Sequence, residues 1–342
     1  MSTFPKYLGL LESGEIDERI KRSWKLTKEC RLCPRGCGVK RLEGETGVCQ
    51  AGNKLRISTF IVHRGEEPVL SGARGSGTVF FSHCSLRCKF CQNWQISFDG
   101  EGRDTSVEQF AQGMLSLQKS GVHNINWVTP SHYLPWLLEG LKLAVTEGLN
   151  IPLVYNCSGY ESLEALEILD GIVDIYLPDA KYSDIELAKK LSTAPDYPTV
   201  NRAALFEMYR QVGDLEVDSE GIACKGLIVR HLIFPGELEN TKGVLRELKE
   251  IVGTDVAISL MGQYFPTQRM RAPSGHSQNI SELALGSQGN NTPYDRTLTR
   301  EEYQEAADYM LSLGFSNGWV QERLGVELHH RPDFRREKEE MY

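Results

Sequence analysis

Gly77-Thr78-Val79-Phe80-Phe81-Ser82-His83 runs without a break into Cys84-Ser85-Leu86-Arg87-Cys88-Lys89-Phe90-Cys91. The first half has the β-branched and aromatic character of a strand. The second half puts three cysteines within eight residues of one loop. Thiolates ligate iron–sulfur clusters and structural zinc, and both kinds of site ordinarily take a fourth ligand. No fourth cysteine follows nearby, the next being Cys157. The spacing therefore points to a [4Fe-4S] cluster with one iron open to an exchangeable ligand. A structural zinc knuckle, the competing reading, more often shows paired CxxC elements.

A second set lies upstream. Cys30, Cys33 and Cys37 are followed after eleven residues by Cys49, with Gly36, Gly38, Gly44, Gly47 and Gly52 around them. Four cysteines make a closed ligand set, and glycines let the backbone turn tightly enough for thiolates to converge. Zinc and a second Fe–S cluster both fit this pattern.

Outward from these sets, 342 residues suit one α/β barrel with appendages. Acidic residues outnumber basic ones, 46 to 38, for a net charge of −8, which gives no overall attraction to nucleic acid or an anionic membrane. No apolar stretch reaches membrane-spanning length, and the N-terminus lacks a signal-like pattern. Nine cysteines, seven of them in two ligand-like sets, fit a reducing compartment, so a cytoplasmic location is expected.

From Thr78 onward, strand-like runs alternate with helical ones, the pattern of a parallel sheet with covering helices. Strands are expected at 78–82, 124–129, 152–156, 173–177, 226–232 and 255–260. Helices are expected at 106–120, 133–147, 162–169, 185–191, 203–212 and 242–252. Six such units make an open, partial (β/α)6 barrel. Nearly every strand ends in polar chemistry: His83 and the cysteines, Thr129-Pro130-Ser131-His132, Asn156-Cys157-Ser158, Asp179-Ala180-Lys181, Arg230-His231 and Gln263-Tyr264. In barrels the site lies at that rim.

Residues 1–76 read as an N-terminal extension with the four-cysteine module, 77–322 as the barrel and 323–342 as a charged tail. An alternating strand is expected at 56–63, and the glycine-rich 71–77 reads as a turn. The polar stretch 267–299 reads as a lid. A helix from Arg300 to Leu313 is signalled by Thr299 and Glu302 as a capping box, and a short strand is expected at 318–322.

The CxxxCxxC with Phe90 before its last cysteine resembles the signature of the radical S-adenosylmethionine (SAM) superfamily. The following Gln92-Asn93 is similar to the pyruvate formate-lyase activating enzymes. The pattern Cys30-Arg31-Leu32-Cys33-Pro34-Arg35-Gly36-Cys37-Gly38-Val39, with Gly47-Val48-Cys49 later, resembles a group of uncharacterised relatives of those enzymes, and the likeness runs from about Cys30 to Glu322.

The resemblance implies that Cys84, Cys88 and Cys91 hold the cluster and that SAM chelates its open iron. One electron, from a donor such as flavodoxin or ferredoxin, then cleaves the sulfonium to methionine and a 5′-deoxyadenosyl radical that abstracts hydrogen. It further implies a partner glycyl-radical enzyme as substrate. Phe90, Gln92, Asn93 and Gln263 are expected in the SAM pocket. Thr129 and Ser131 stand where the superfamily usually has Gly-Gly-Glu, a departure from its pattern. Lys181 is similar to the lysine that approaches the SAM carboxylate, against the competing reading of a solvated loop lysine. Asp179 matches one of two aspartates that hold a cation beside SAM. Asn156 replaces the other, and the lost charge weakens such a site. Arg230 resembles an arginine that meets SAM, with a structural ion pair as the competing reading. Single histidines are more often ordinary hydrogen-bonded residues; among His83, His132 and His231, His132 is kept as a candidate acid or ligand.

The expected function is radical SAM chemistry of the activating type. The alternatives are radical modification of a small molecule or peptide, and a catalytically silent metal- or SAM-binding regulator. An open iron is something a binding module does not need.

Overall fold

The computed structural model describes residues 4–267, 270 and 292–320. Two N-terminal helices, α1 (Tyr7–Glu12) and α2 (Glu15–Lys28), precede the four-cysteine segment and strand β1 (Arg56–His63). A one-turn helix, α3 (Pro68–Ser71), leads into β2 (Ser76–Phe81), followed by α4 (Trp94–Ser97), β3 (Arg103–Asp104) and α5 (Val107–Lys119). Then come β4 (Ile125–Val128), α6 (Leu134–Thr146), β5 (Leu153–Cys157), α7 (Leu163–Leu169), β6 (Ile175–Pro178), α8 (Ile185–Ser192) and α9 (Tyr197–Val212). The order closes with β7 (Glu216–Val217), β8 (Ala223–Leu232), α10 (Leu238–Val252), β9 (Ala257–Met261), α11 (Arg300–Ser312) and β10 (Gly318–Val320).

The sheet runs β10-β9-β8-β6-β5-β4-β2-β1-β3, with β7 paired to β8 beside that path. From β2 to β10 each neighbouring pair is parallel, whereas β1 is antiparallel to β2 and β3. This is the α/β partial barrel read from the sequence. Its six expected strands are β2, β4, β5, β6, β8 and β9, with ends moved by a few residues, and β10 adds the short final strand. Residues of β2, β4, β5 and β6 are buried on both faces, which is why they read as near-continuous apolar runs.

Local chemistry sets the helix starts. Ser106 and Gln109 form a capping box on α5, Thr299 and Glu302 another on α11, and Asp184 accepts from the Leu187 N–H at the start of α8. Two helices start earlier than expected, α9 at Tyr197 instead of 203 and α10 at Leu238 instead of 242. The first turn of α10, Leu238-Glu239-Asn240-Thr241, is mostly polar, so apolar periodicity does not register there. Pro198 sits in the first turn of α9, where a missing N–H costs nothing. Helix α3 falls on Pro68, Val69 and Leu70, just ahead of the glycine run read as a turn.

The N-terminal segment shares the barrel's core: Tyr7, Leu26, Leu32, Cys30 and Cys49 pack in one cluster with Trp127, Leu137 and Leu245. The Trp24 indole donates to Glu139 at 2.8 Å and the Tyr7 hydroxyl to the Ile151 carbonyl at 2.6 Å. The division drawn at residue 76 falls on the first residue of β2, which pairs with β1 along its length. Most of the 267–299 stretch and the tail from 321 lie outside the described residues. No described helix is long and apolar enough to cross a membrane.

Candidate active site and metal centres

The C-terminal rim of the parallel strands opens into a cavity of about 440 Å³. Cys84, Cys88 and Cys91 line it, with Phe90, Gln92 and Asn93 from the same loop. Around the rim follow Thr129, Asn156, Asp179, Lys181, Arg230 and Gln263. Ser131 is not brought there. Its hydroxyl donates instead to the buried Glu161 carboxylate at 2.7 Å, which also accepts from Tyr155 at 3.2 Å.

The triad's sulfurs sit among donors. Ser97 donates to Cys91 Sγ at 3.2 Å, and the Asn93 backbone N–H and the Ser192 hydroxyl favour the thiolates of Cys91 and Cys88. Burial pushes the Cys88 thiol up to about 12 and the Cys91 thiol to about 11, so these groups ionise when a metal takes the proton's place. The Gln92 side-chain amide donates to the Gln263 carbonyl at 2.8 Å, joining the cysteine loop to the end of β9. Three thiols on one loop at the mouth of a polar-lined cavity fit a cluster with an open iron.

Lys181 Nζ donates to Asp179 Oδ2 at 2.5 Å and stands 5.8 Å from the Phe90 ring centre. Burial alone would lower the lysine's pKa, but the Asp179 carboxylate and the Cys88 sulfur outweigh it and hold the ammonium above its ordinary value. The lysine is therefore charged at the cavity wall and is not a solvated loop residue. Arg230 is held by two carboxylates: its Nε and Nη2 donate to Glu67 at 2.7 and 2.6 Å, and Nη2 also donates to Glu66. Burial would raise the Glu67 carboxyl, but the guanidinium overrides it and keeps it low. Glu66 also accepts from Asn126 at 3.0 Å. Both carboxylates line the cavity, and neither was assigned a role from sequence. The only local signal is Glu-Glu-Pro before a helix, with Pro68 at its first position.

Of the strand-end histidines, His83, His132 and His231, none lines the cavity. His132 is buried, bonded through Nε2 to the Ser82 carbonyl at 2.9 Å and absent from the cavity wall; burial lowers its pKa to about 3. It is thus neither a poised acid nor a ligand there. His231 is bonded to the Ala180 carbonyl and the Thr241 hydroxyl, and burial lowers it to about 4. Burial likewise lowers His83, with Arg56 and Arg87 adding to the effect, to about 4. Thr129 has φ +60, a left-handed backbone that glycine adopts without strain. The position that departs from Gly-Gly-Glu in side chain thus keeps a glycine-like backbone.

Cys30, Cys33, Cys37 and Cys49 lie on a loop closed by Gly38 N–H to the Cys30 carbonyl and Cys30 N–H to the Val39 carbonyl. Three of the sulfurs have donors. Val48 N–H reaches Cys37 and Ala51 N–H reaches Cys49, both at 3.5 Å, and Arg41 Nη1 stands 3.9 Å from Cys30. A Cβ on Gly47 would lie 2.8 Å from Cys37 Sγ, so this glycine makes room for the thiol. Four thiols, donors aimed at three of them and a cradle that only glycine leaves open fit the chemistry of a zinc or Fe–S site. Among the described residues, no group of three or more His, Cys, Asp or Glu is spaced to hold a metal ion as it stands.

Residues 78–248, half of the chain, match the radical SAM superfamily, and the chain belongs to it. Membership brings a [4Fe-4S] cluster, SAM as cofactor, reductive cleavage of SAM and the need for a reductant. Within that class the chain is similar to an uncharacterized protein of Methanocaldococcus jannaschii, at 29% identity over 262 residues that cover 75% of this chain and 72% of the relative. It is also similar to the pyruvate formate-lyase-activating enzymes of Listeria monocytogenes and Listeria innocua, at 24% identity over 189 residues, 52% of this chain and 68% of each.

Proposed function

We propose that this chain is an activating-type radical SAM enzyme that abstracts a hydrogen atom from a glycine of a partner glycyl-radical enzyme. The observation that carries the reading is the convergence of Cys84, Cys88 and Cys91 with Lys181, Asp179 and Asn156 on one cavity. The likeness to the activating enzymes supports the choice of substrate.

In this reading Cys84, Cys88 and Cys91 hold the cluster, which with SAM supplies one-electron cleavage and hydrogen abstraction. The charged Lys181 neutralises the SAM carboxylate while Asp179 fixes its ammonium. Phe90 offers an apolar face, and Asn93, Asn156, Gln92 and Gln263 offer amides to the polar parts of SAM. Thr129 contributes backbone. Ser131 acts through Glu161 only, and Arg230 acts chiefly by holding Glu66 and Glu67. Cys30, Cys33, Cys37 and Cys49 hold a second centre, zinc or Fe–S. The electron comes from a small protein of the flavodoxin or ferredoxin class.

A second reading rests on Glu66 and Glu67. Two carboxylates against one guanidinium leave an excess negative charge at the cavity wall, which suits a small cationic substrate better than a protein backbone.

With dithionite and SAM, the anaerobically loaded protein is expected to release 5′-deoxyadenosine, and Cys88→Ala to release none. Product from Cys88→Ala would remove the ligand assignment. A glycyl-radical resonance signal on a candidate partner decides for the first substrate, and its absence beside turnover of a small cation decides for the second. Metal analysis should find roughly eight irons, or four irons with one zinc, depending on the second centre.

A further inference from the structure

We propose that Arg35 is a positioning residue that ties the four-cysteine loop to the loop of the Cys84, Cys88 and Cys91 triad, so that metal bound at the first set stabilises the second. The coupling rests on the second centre proposed above; the contact itself does not.

Arg35 belongs to both sites at once. Its backbone lies within the first set, between Cys33 and Cys37. Its side chain leaves that set and spreads over four carbonyls: Nε to Ser85 at 3.0 Å, Nη2 to Leu86 at 3.3 Å and Ser192 at 2.8 Å, and Nη1 to Thr193 at 2.6 Å. Ser85 and Leu86 lie between Cys84 and Cys88. Ser192 and Thr193 close α8, where carbonyls have no ladder partners and carry the negative end of the helix dipole. A planar guanidinium with five donors spans such a set, and an ammonium does not. The guanidinium also stands 5.3 Å over the Tyr160 ring.

The two elements it joins already meet at the triad. Lys89 N–H, next to Cys88, donates to the Leu191 carbonyl at 2.8 Å. The same guanidinium therefore holds the loop that carries Cys88 and the helix end to which that loop is bonded. Only Pro34 separates Arg35 from Cys33, and only Gly36 separates it from Cys37. Metal on that pair pins the backbone from which the side chain reaches, removing conformational freedom that the strut would otherwise have to overcome.

The test uses the full chain, loaded anaerobically. Arg35→Ala is expected to let a chelator strip triad iron at a concentration about tenfold lower. It should also change the resonance spectrum of the reduced triad cluster and its shift on adding SAM. Arg35→Lys should not restore either, because one ammonium cannot replace the fork. In a background with the three triad cysteines changed to Ala, Arg35→Ala should leave the metal of the first set in place, separating the strut from simple loss of that metal. Cys37→Ser should reproduce the triad changes, and the double variant should be no worse than either single one. An unchanged chelator midpoint and spectrum in Arg35→Ala, or full recovery in Arg35→Lys, would overturn the strut. Additive losses in the double variant would overturn the coupling. If the native first set holds no metal and Arg35→Ala still loosens triad iron, the second-centre reading and its coupling fall while the strut stands.

Discussion

Gln50, His83, Arg87, Thr129 and Thr193 are the non-glycine residues with a left-handed backbone among those described. Gln50 follows Cys49, His83 precedes Cys84 and Arg87 precedes Cys88, while Thr129 lines the cavity and Thr193 receives Arg35. Such conformations cost about 1 to 3 kcal/mol each and persist where the surroundings over-determine them. Their placement marks both cysteine sets as the regions where packing overrides local preference. Gly47 shows the same pressure in its sterics. Gly47→Ala puts a Cβ 2.8 Å from Cys37 Sγ, against side-chain atoms with a backbone behind them. We expect the variant to weaken metal at the first set by about tenfold or more and to keep the barrel's far-ultraviolet circular dichroism. Equal metal content and chelator resistance would show that the glycine is incidental.

At the scale of elements, α3 places Leu70 in a cluster with Val154, Ile175, Leu177 and Ile228, on the interior faces of β5, β6 and β8. Glu66 and Glu67, just ahead of it, reach Arg230 on β8 and Asn126 on β4. The segment therefore crosses the barrel interior and is clasped on both sides. Arg230→Met leaves two buried carboxylates without their cation, and breaking such a pair costs about 3 kcal/mol or more. Glu66→Gln keeps Glu67 on the guanidinium and should cost less. Denaturant unfolding of both variants checks the order, and a smaller loss in Arg230→Met would remove the clasp.

For the whole molecule, two buried carboxyls set a pH dependence. Burial raises Glu161 from 4.5 to about 7 and Asp174 from 3.8 to about 7, although each accepts hydrogen bonds that partly oppose the shift. Between those values the folded chain keeps protons that the unfolded chain has released. Their contribution is therefore fully present below the unfolded pKa and is lost as pH rises towards 7. Burial also keeps His83, His132 and His231 neutral, which acts with the opposite sign below about pH 6.5, so the carboxyl contribution is read as a difference. Relative to the unsubstituted metal-free protein, Glu161→Gln should gain up to about 3 kcal/mol of unfolding free energy between about pH 5 and about pH 7.5. A slope equal to the unsubstituted protein's would show that Glu161 is not protonated in the folded state.

The chain's own order was enough for whatever neighbours in sequence settle. Cysteine spacing, the strand that delivers the triad, the alternation of strands and helices, and the Thr299–Glu302 cap are all short-range patterns. Placing the polar residues at strand ends was also legible, because a parallel sheet brings those ends to one rim. What lay beyond it were pairings made across the barrel. Arg230 meets Glu67 over 163 positions, Arg35 meets Ser192 over 157, and Ser131 turns to Glu161 instead of the cavity. A buried charge takes whichever counter-charge the strand order brings beside it, and strand order is a property of the folded sheet, invisible in local spacing.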